Sequence, residues 1–188
     1  MRTPDYPIET PRLLLRPFVA EDLDALYDMR SRPDVARYLY WEPATREEIG
    51  PELDRRVRTR TLEKEGDDLH LAAVLREGGA LVGDISLDWL SEKHRQGEIG
   101  FVLHPDHQGK GLAREAATEM LRLGFEVFEL HRIIGRCDAR NDASAGLMRR
   151  LGMREEAHFV ENEIFKGDWG DELVFAMLAS EWEASAHR

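Results

Sequence analysis

The stretch Gln108-Gly109-Lys110-Gly111-Leu112-Ala113 carries the clearest chemistry in the sequence, because its residue types can hold an anion. Before it runs an apolar, strand-like segment, Gly97-Glu98-Ile99-Gly100-Phe101-Val102-Leu103. After it, between Arg114 and Phe128, Ala117, Met120, Leu121, Gly124 and Phe128 recur at helical spacing. The turn is therefore predicted at a helix N-terminus, where backbone N–H groups lack intrahelical acceptors and the dipole is positive. Two glycines let a phosphate approach the main chain closely, and Lys110 adds a mobile positive charge. Two common phosphate motifs do not fit. A P-loop needs Ser or Thr after its Gly-Lys pair, where Gly111 stands, and a dinucleotide fingerprint needs Gly or Ala where Arg114 stands.

What remains has the form Gln/Arg-x-x-Gly-x-Gly/Ala, carried by Gln108, Gly111 and Ala113. It resembles the pyrophosphate loop of the GNAT superfamily of acetyl-CoA-dependent N-acetyltransferases. On these six residues alone, an ordinary Gly-rich helix cap is the competing reading. The likeness extends along the chain, however. Glu9-Thr10-Pro11-Arg12-Leu13-Leu14-Leu15-Arg16-Pro17-Phe18 with Glu21-Asp22-Leu23 resembles the opening of the RimJ/RimL-type branch, which acetylates ribosomal-protein N-termini. Asn141-Asp142-Ala143-Ser144 with Leu147, Leu151 and Gly152, then Gly167-Asp168-Trp169-Gly170-Asp171, then Leu178-Ala179-Ser180-Glu181-Trp182, are similar to later segments of that branch, in the same order.

The resemblance implies an α/β (α+β) fold with a central mixed, mostly antiparallel sheet of about seven strands flanked by helices. It implies acetyl-CoA as acyl donor, held by Gln108, Gly109, Lys110, Gly111, Leu112, Ala113 and Arg114. It also implies backbone contacts from Phe101, Val102 and Leu103 to the pantetheine arm, with Asn141 bonding the same arm. The expected reaction is direct acetyl transfer to a primary amine in a ternary complex. The acceptor is a cationic small molecule, such as a polyamine or amino sugar, or a protein N-terminus. A non-catalytic acyl-CoA-binding sensor is the alternative.

Acetyl transfer from a thioester needs a neutral amine, a stabilised oxyanion and a proton for the leaving thiolate. Glu98 is the first candidate base: it shares a strand face with Gly100 and Val102, and partial burial would bring its proton affinity into a useful range. The competing reading pairs it with Lys93 or Arg95 at a strand end. An α-amine titrates near pH 8 and a lysine amine above 10, so an N-terminal substrate asks less of a base, and a water relay would serve. Related enzymes commonly take their acid from a tyrosine after the last cofactor contact, but none stands in 137–160. Ser144 is the hydroxyl there, and in RimL-like proteins a serine at this place lies near the cofactor sulfur. Asn141 and Ser144 equally suit helix capping. Gly100 is expected to mark a bulge or a close approach of ligand.

Composition bounds these readings. The 188 residues carry a formal net charge of -11, which argues against a nucleic-acid surface and favours cationic acceptors. Two acidic runs, Glu63/Glu65/Asp67/Asp68 and Glu155/Glu156/Glu161/Glu163, could serve such an acceptor or simply face solvent. Coenzyme A is itself polyanionic, so Lys110, Arg114 and the loop amides must act at short range, within a screening length of roughly 10 Å. Arg149 and Arg150 either help or cap a helix. Lone Cys137 excludes an internal disulfide and reads as a small packed hydrophobe. The histidines show no metal-ligand spacing, so no metal is expected. No apolar run approaches the roughly 18 residues of a membrane helix, and a cytoplasmic enzyme without a membrane partner is expected, with a homodimer left open.

The elements that must position these groups alternate along the chain. Strand Leu13–Phe18 precedes a helix over Ala20–Arg30, and Thr45-Arg46-Glu47-Glu48 opens a second helix that Pro51 is expected to kink or split. Tyr38-Leu39-Tyr40-Trp41, between them, borders the acceptor cleft in the family. Leu69–Leu75 and Leu81–Leu90 read as a hairpin, followed by the strand from Gly97 and its helix. Arg132–Asp138 reads as a strand, Ser144–Leu151 as a helix, and two last strands flank an Asp168-Trp169-Gly170 turn. Residues 1–183 are expected to form one domain and 184–188 a frayed tail.

Overall fold

A computed structural model describes residues 3–186. The chain runs β1 (Ile8–Glu9), β2 (Leu13–Pro17), α1 (Leu23–Arg30), α2 (Pro33–Ala36), α3 (Arg46–Arg58), β3 (Asp68–Leu75), β4 (Leu81–Ser91) and β5 (Gln96–Leu103). It continues through α4 (Leu112–Arg122), β6 (Arg132–Asp138), α5 (Asp142–Arg150), β7 (Arg154–Phe165), β8 (Asp168–Leu178) and α6 (Ala179–Ala186). Among the described residues eight strands form one sheet, in the order β1-β2-β3-β4-β5-β6-β8-β7. The expected count was about seven, and the short β1 accounts for the difference. Every neighbouring pair is antiparallel except β5 and β6. That exception follows from α4, which carries the chain across the sheet between two parallel strands.

Alternation along the strands gives the sheet two unlike faces. On one, Leu69, Leu71, Ile85, Leu87, Ile99, Leu103 and Ile133 pack with Leu112, Ala116, Ala117, Met120 and Leu121 of α4. These α4 positions follow a helical period and form its buried face, each large side chain stabilising the packing by about 1.5–3 kcal/mol. On the other face, Phe18, Leu26, Met29, Ile49 and Leu53 from α1, α3 and their flanks cover Ala72 and Val74 of β3, with Leu14, Leu81 and Val102 at the margin. The remainder of that second face carries polar side chains.

Two expectations change. Pro51 lies inside an unbroken α3. Gly50 precedes it and carries no Cβ, so the steric clash that normally drives a pre-proline residue out of the helix is relieved. The final turn is Lys166-Gly167, while Asp168, Trp169 and Gly170 already belong to β8; Lys166 and Gly167 both take positive φ, at 51° and 93°. Residues 184–186 of the expected tail continue α6, while His187 and Arg188 lie outside the described residues.

Candidate functional site

The phosphate-type loop stands where the sequence placed it. Gly111 is the N-cap of α4, and both Gly109 and Gly111 are left-handed, with φ of 72° and 78°. Any residue with a Cβ is disfavoured there. Among the described residues, no backbone N–H from Gly109 through Arg114 has a hydrogen-bond acceptor, whereas His107 and Gln108 on one side and Glu115 on the other are bonded. Six consecutive backbone donors are thus unpaired at one helix end, which suits an anionic group such as a diphosphate. The Gln108 amide donates to the Leu103 carbonyl at 3.0 Å and ties the loop to β5, so its side chain organises the turn. Lys110 folds back on the Asp106 carbonyl at 2.6 Å, and Arg114 is exposed.

Residues whose role the sequence left unread complete the loop. The Arg12 guanidinium donates to the Lys110 carbonyl at 2.8 Å and to Glu115 of α4 at 2.7 Å, and Glu115 also accepts from the Thr10 hydroxyl at 2.6 Å. Their signal was present in Thr10-Pro11-Arg12, conspicuous in sequence without any stated role.

β5 and β6 pair only over Gln96–Glu98 with Arg132–Ile134 and then diverge. On its β6 side, the length from Gly100 to Leu103 therefore has main-chain groups with no strand partner. Phe101, Val102 and Leu103 line this opening, which ends at the α4 loop. Gly100 differs from expectation: it is in register with Ser86, and the irregularity in this strand pair falls between Trp89 and Ser91. A Cβ at Gly100 would lie 2.5 Å from the Ser86 Oγ, so the close approach is made by a neighbouring side chain.

Glu98 sits where the two strands part. Its carboxylate does not pair with Lys93 or Arg95; both oxygens instead accept from Arg136 of β6, at 3.0 Å each. Around them, Asp68 and His70 of β3, Asp84, Ser86 and Asp88 of β4, and Glu172 of β8 share the polar sheet face. His70 bonds Asp84 at 2.8 Å, and Arg56 of α3 reaches Asp84 at 2.8 Å and Glu52 at 2.5 Å. Burial, the largest single effect, opposes the charge on His70, but the Asp84 and Asp68 carboxylates together outweigh it and push the imidazole up to about 9. Burial likewise opposes the charge on Asp84, yet His70 and Arg56 hold it far below the ordinary carboxylate range. Asp88 behaves in the opposite way: burial, with Glu98 and Asp68 nearby, pushes its carboxyl up to about 6. Burial also raises Glu172.

At the far end of the opening, Asn141 is the N-cap of α5 and its Oδ1 accepts from the Ser144 N–H at 3.1 Å. The Ser144 hydroxyl lies against the Cys137 thiol of β6, and burial first and Asp138 second push that thiol up to about 11. Cys137 is half-buried against the α4 side of the sheet and is a poor nucleophile at neutral pH. Although 137–160 holds no tyrosine, Tyr40 reaches the site from another element: its hydroxyl donates to Glu163 at 2.5 Å and its ring meets Phe165 edge-on. Trp41 stacks under Arg30, 3.7 Å from the ring centre, and its carbonyl accepts from Lys166. The Tyr38–Trp41 segment thus meets the β7–β8 hairpin.

The acidic runs divide. Asp67 closes its own turn by accepting from the N–H groups of Glu63 and Lys64, Glu155 pairs with Arg149, and Glu156 with Arg132 and Arg154. Asp68 and Glu163 remain on the polar face. No group of three or more His, Cys, Asp or Glu arranged to hold a metal occurs among the described residues. No described helix is long and apolar enough to cross a membrane.

Residues 12–154 match the family described as "Acetyltransferase (GNAT) domain". A Bacillus subtilis (strain 168) protein named "Uncharacterized N-acetyltransferase YnaD" is 34% identical over 176 residues, covering 93% of this chain and 98% of the relative. The spermidine N(1)-acetyltransferase of Escherichia coli (strain K12) is 25% identical over 171 residues, covering 90% of this chain and 88% of that enzyme. The crystal structure of a GNAT-family acetyltransferase from Bacillus anthracis superposes with a TM-score of 0.82 at 31% identity, over 93% of this chain and 99% of that one.

Proposed function

We propose that this chain, which belongs to the GNAT acetyltransferase family and is an N-acetyltransferase, takes its acetyl group from acetyl-CoA and transfers it directly to a primary amine. One observation carries the reading: the opening between β5 and β6 runs from Glu98 to a helix N-terminus with six unpaired N–H donors. The amides of Gly109 to Arg114 receive the pyrophosphate, with Lys110 and Arg114 adding charge and Gln108 fixing the turn. Main-chain groups of Phe101, Val102 and Leu103 line the pantetheine arm, and Asn141 bonds it. A loop amide dipole costs no reorganisation when it meets an anion, which lets local groups outweigh a net charge of -11.

The acceptor amine enters over the polar sheet face, between α1–α3 and the β7–β8 hairpin. Carboxylates outnumber cations on that face, which suits a positively charged amine, either a protein N-terminus of the RimJ/RimL kind or a small polyamine or amino sugar. Glu98 stands closest to the parting of the strands and is the residue expected to meet the amine, while Ser144 is the hydroxyl available to protonate the departing thiolate. Residues 1–183 work as one domain, in the cytoplasm and without nucleic acid. The test is release of thiol from acetyl-CoA by the purified protein in the presence of peptides with free N-termini, polyamines and amino sugars.

A further inference from the structure

We propose that Asp88, one strand away from Glu98, is the group that takes the proton from the incoming ammonium, with Glu98 beside it as a fixed anion held by Arg136. The inference rests on the acetyl-transfer reading above and deepens it.

Geometry separates the two carboxylates. Asp88 and Glu98 are register partners on β4 and β5 and share the polar face. Both oxygens of Glu98 are occupied by the Arg136 guanidinium, so a proton could be accepted there only by opening a bidentate ion pair. Asp88 is half-buried, and among the described residues it has neither a hydrogen-bond donor nor an ion-pair partner. A carboxylate of this kind has both oxygens available to a new donor. The other carboxylates nearby are committed: Asp84 to His70 and Arg56, Asp68 to His70 and Arg55, and Glu172 to Asn162.

The charges that face Asp88 are Asp68 and His70 of β3, Glu98 of β5 and Arg136 of β6. Burial favours its protonated form most, Glu98 and Asp68 add to that, and His70 and Arg136 oppose it; the balance is a carboxyl raised to about 6. At pH 7 such a group is mostly ionised and can still accept a proton, which is the condition for a general base near neutrality. R–NH3+ gives one proton to the Asp88 carboxylate, and the freed nitrogen lone pair forms the N–C bond to the thioester carbonyl. The C–S bond breaks, its electron pair leaves on sulfur, and the Ser144 hydroxyl protonates the thiolate while taking up the second amine proton. Asp88 then returns its proton to water.

The test compares kcat/KM against pH for the full-length protein, D88N, D88E and E98Q, using the amine found active in the acceptor panel. Carboxyl NMR of the unliganded protein follows the Asp88 titration directly. Wild type should lose activity below about pH 6, with Asp88 titrating in the same range. D88N should fall about a hundredfold with its acetyl-CoA affinity intact, which shows the variant folded, while D88E should recover an acid limb. E98Q should keep the limb and move it to lower pH, because the anion that raises Asp88 is gone. Overturning results are D88N within threefold of wild type with its acid limb unchanged, or an Asp88 titration below pH 5 while the wild type turns over normally. Absence of wild-type turnover with every amine would overturn the transfer reading and this role with it.

Discussion

Arg136 and Glu98 face each other across β5 and β6, the parallel seam of the sheet, and the guanidinium engages both carboxylate oxygens at 3.0 Å. Glu98, aligned with Ile134, is the last residue of β5 paired to β6, and Arg136 lies two positions past Ile134, so the pair spans the point where the strands part. Its side chains are partly exposed, 48% for Arg136 and 16% for Glu98, so its contribution to stability is screened and small. Its weight falls on the electrostatics of the acceptor face.

Replacing Arg136 by Gln should therefore disturb pH dependence more than folding. Arg136 favours the ionised form of Asp88. With that cation gone, the acid limb of kcat/KM should move to higher pH, opposite in sign to the E98Q shift, while the melting temperature changes little. A pH profile of R136Q checks this, and an unmoved limb would separate Arg136 from the reacting groups.

The loop gives a second test, on binding. Gly111→Ala forces a Cβ into a left-handed N-cap at φ 78°, which costs about 1–2 kcal/mol and tilts the unpaired N–H groups. The strain itself is common to free and bound protein, but one amide tilted away from a charged phosphate loses about 1.5 kcal/mol of binding, so acetyl-CoA Kd should rise about tenfold. Arg12→Ala, which removes the tie to the Lys110 carbonyl, should weaken binding about fivefold. Titration calorimetry with acetyl-CoA measures both.

Much of this was legible in the sequence, for identifiable reasons. The Gln108–Ala113 turn is local: two glycines and a helical period set its conformation, and both reach the structure unchanged. The β3–β4 hairpin was equally readable from its apolar runs and Gly-rich turn. Arg136 and Asp88 were not, because their roles depend on which strands become neighbours. Thirty-eight residues separate Glu98 from Arg136, and only the α4 crossover brings them together. Pro51 was misread because the helix-breaking rule weighs proline alone, whereas its tolerance depends on the glycine before it. The displaced final turn reflects positive φ at Lys166, which residue type alone does not announce.

Stability carries its own pH signature through His70. Its folded value, about 9, lies above the ordinary 6.5, so its interaction with Asp84 stabilises fully below pH 6.5. That contribution fades between 6.5 and 9 and is absent above. Its size is on the order of 3 kcal/mol for a shift of this extent. Urea unfolding at pH 6 and pH 9.5 should show wild type losing stability on that rise, and H70Q losing much less of it. An equal loss in both would remove His70 from the buried charge network.

Thiol release from acetyl-CoA by the purified protein, measured against free-N-terminal peptides, polyamines and amino sugars, tests direct acetyl transfer. Saturable turnover that requires one class of amine, yields the acetylated amine and leaves no acetyl group on the protein when the amine is omitted is the predicted result. Saturable acetyl-CoA binding with no acceleration by any amine, or a stable acetyl-enzyme formed without one, would contradict direct transfer between the two strands.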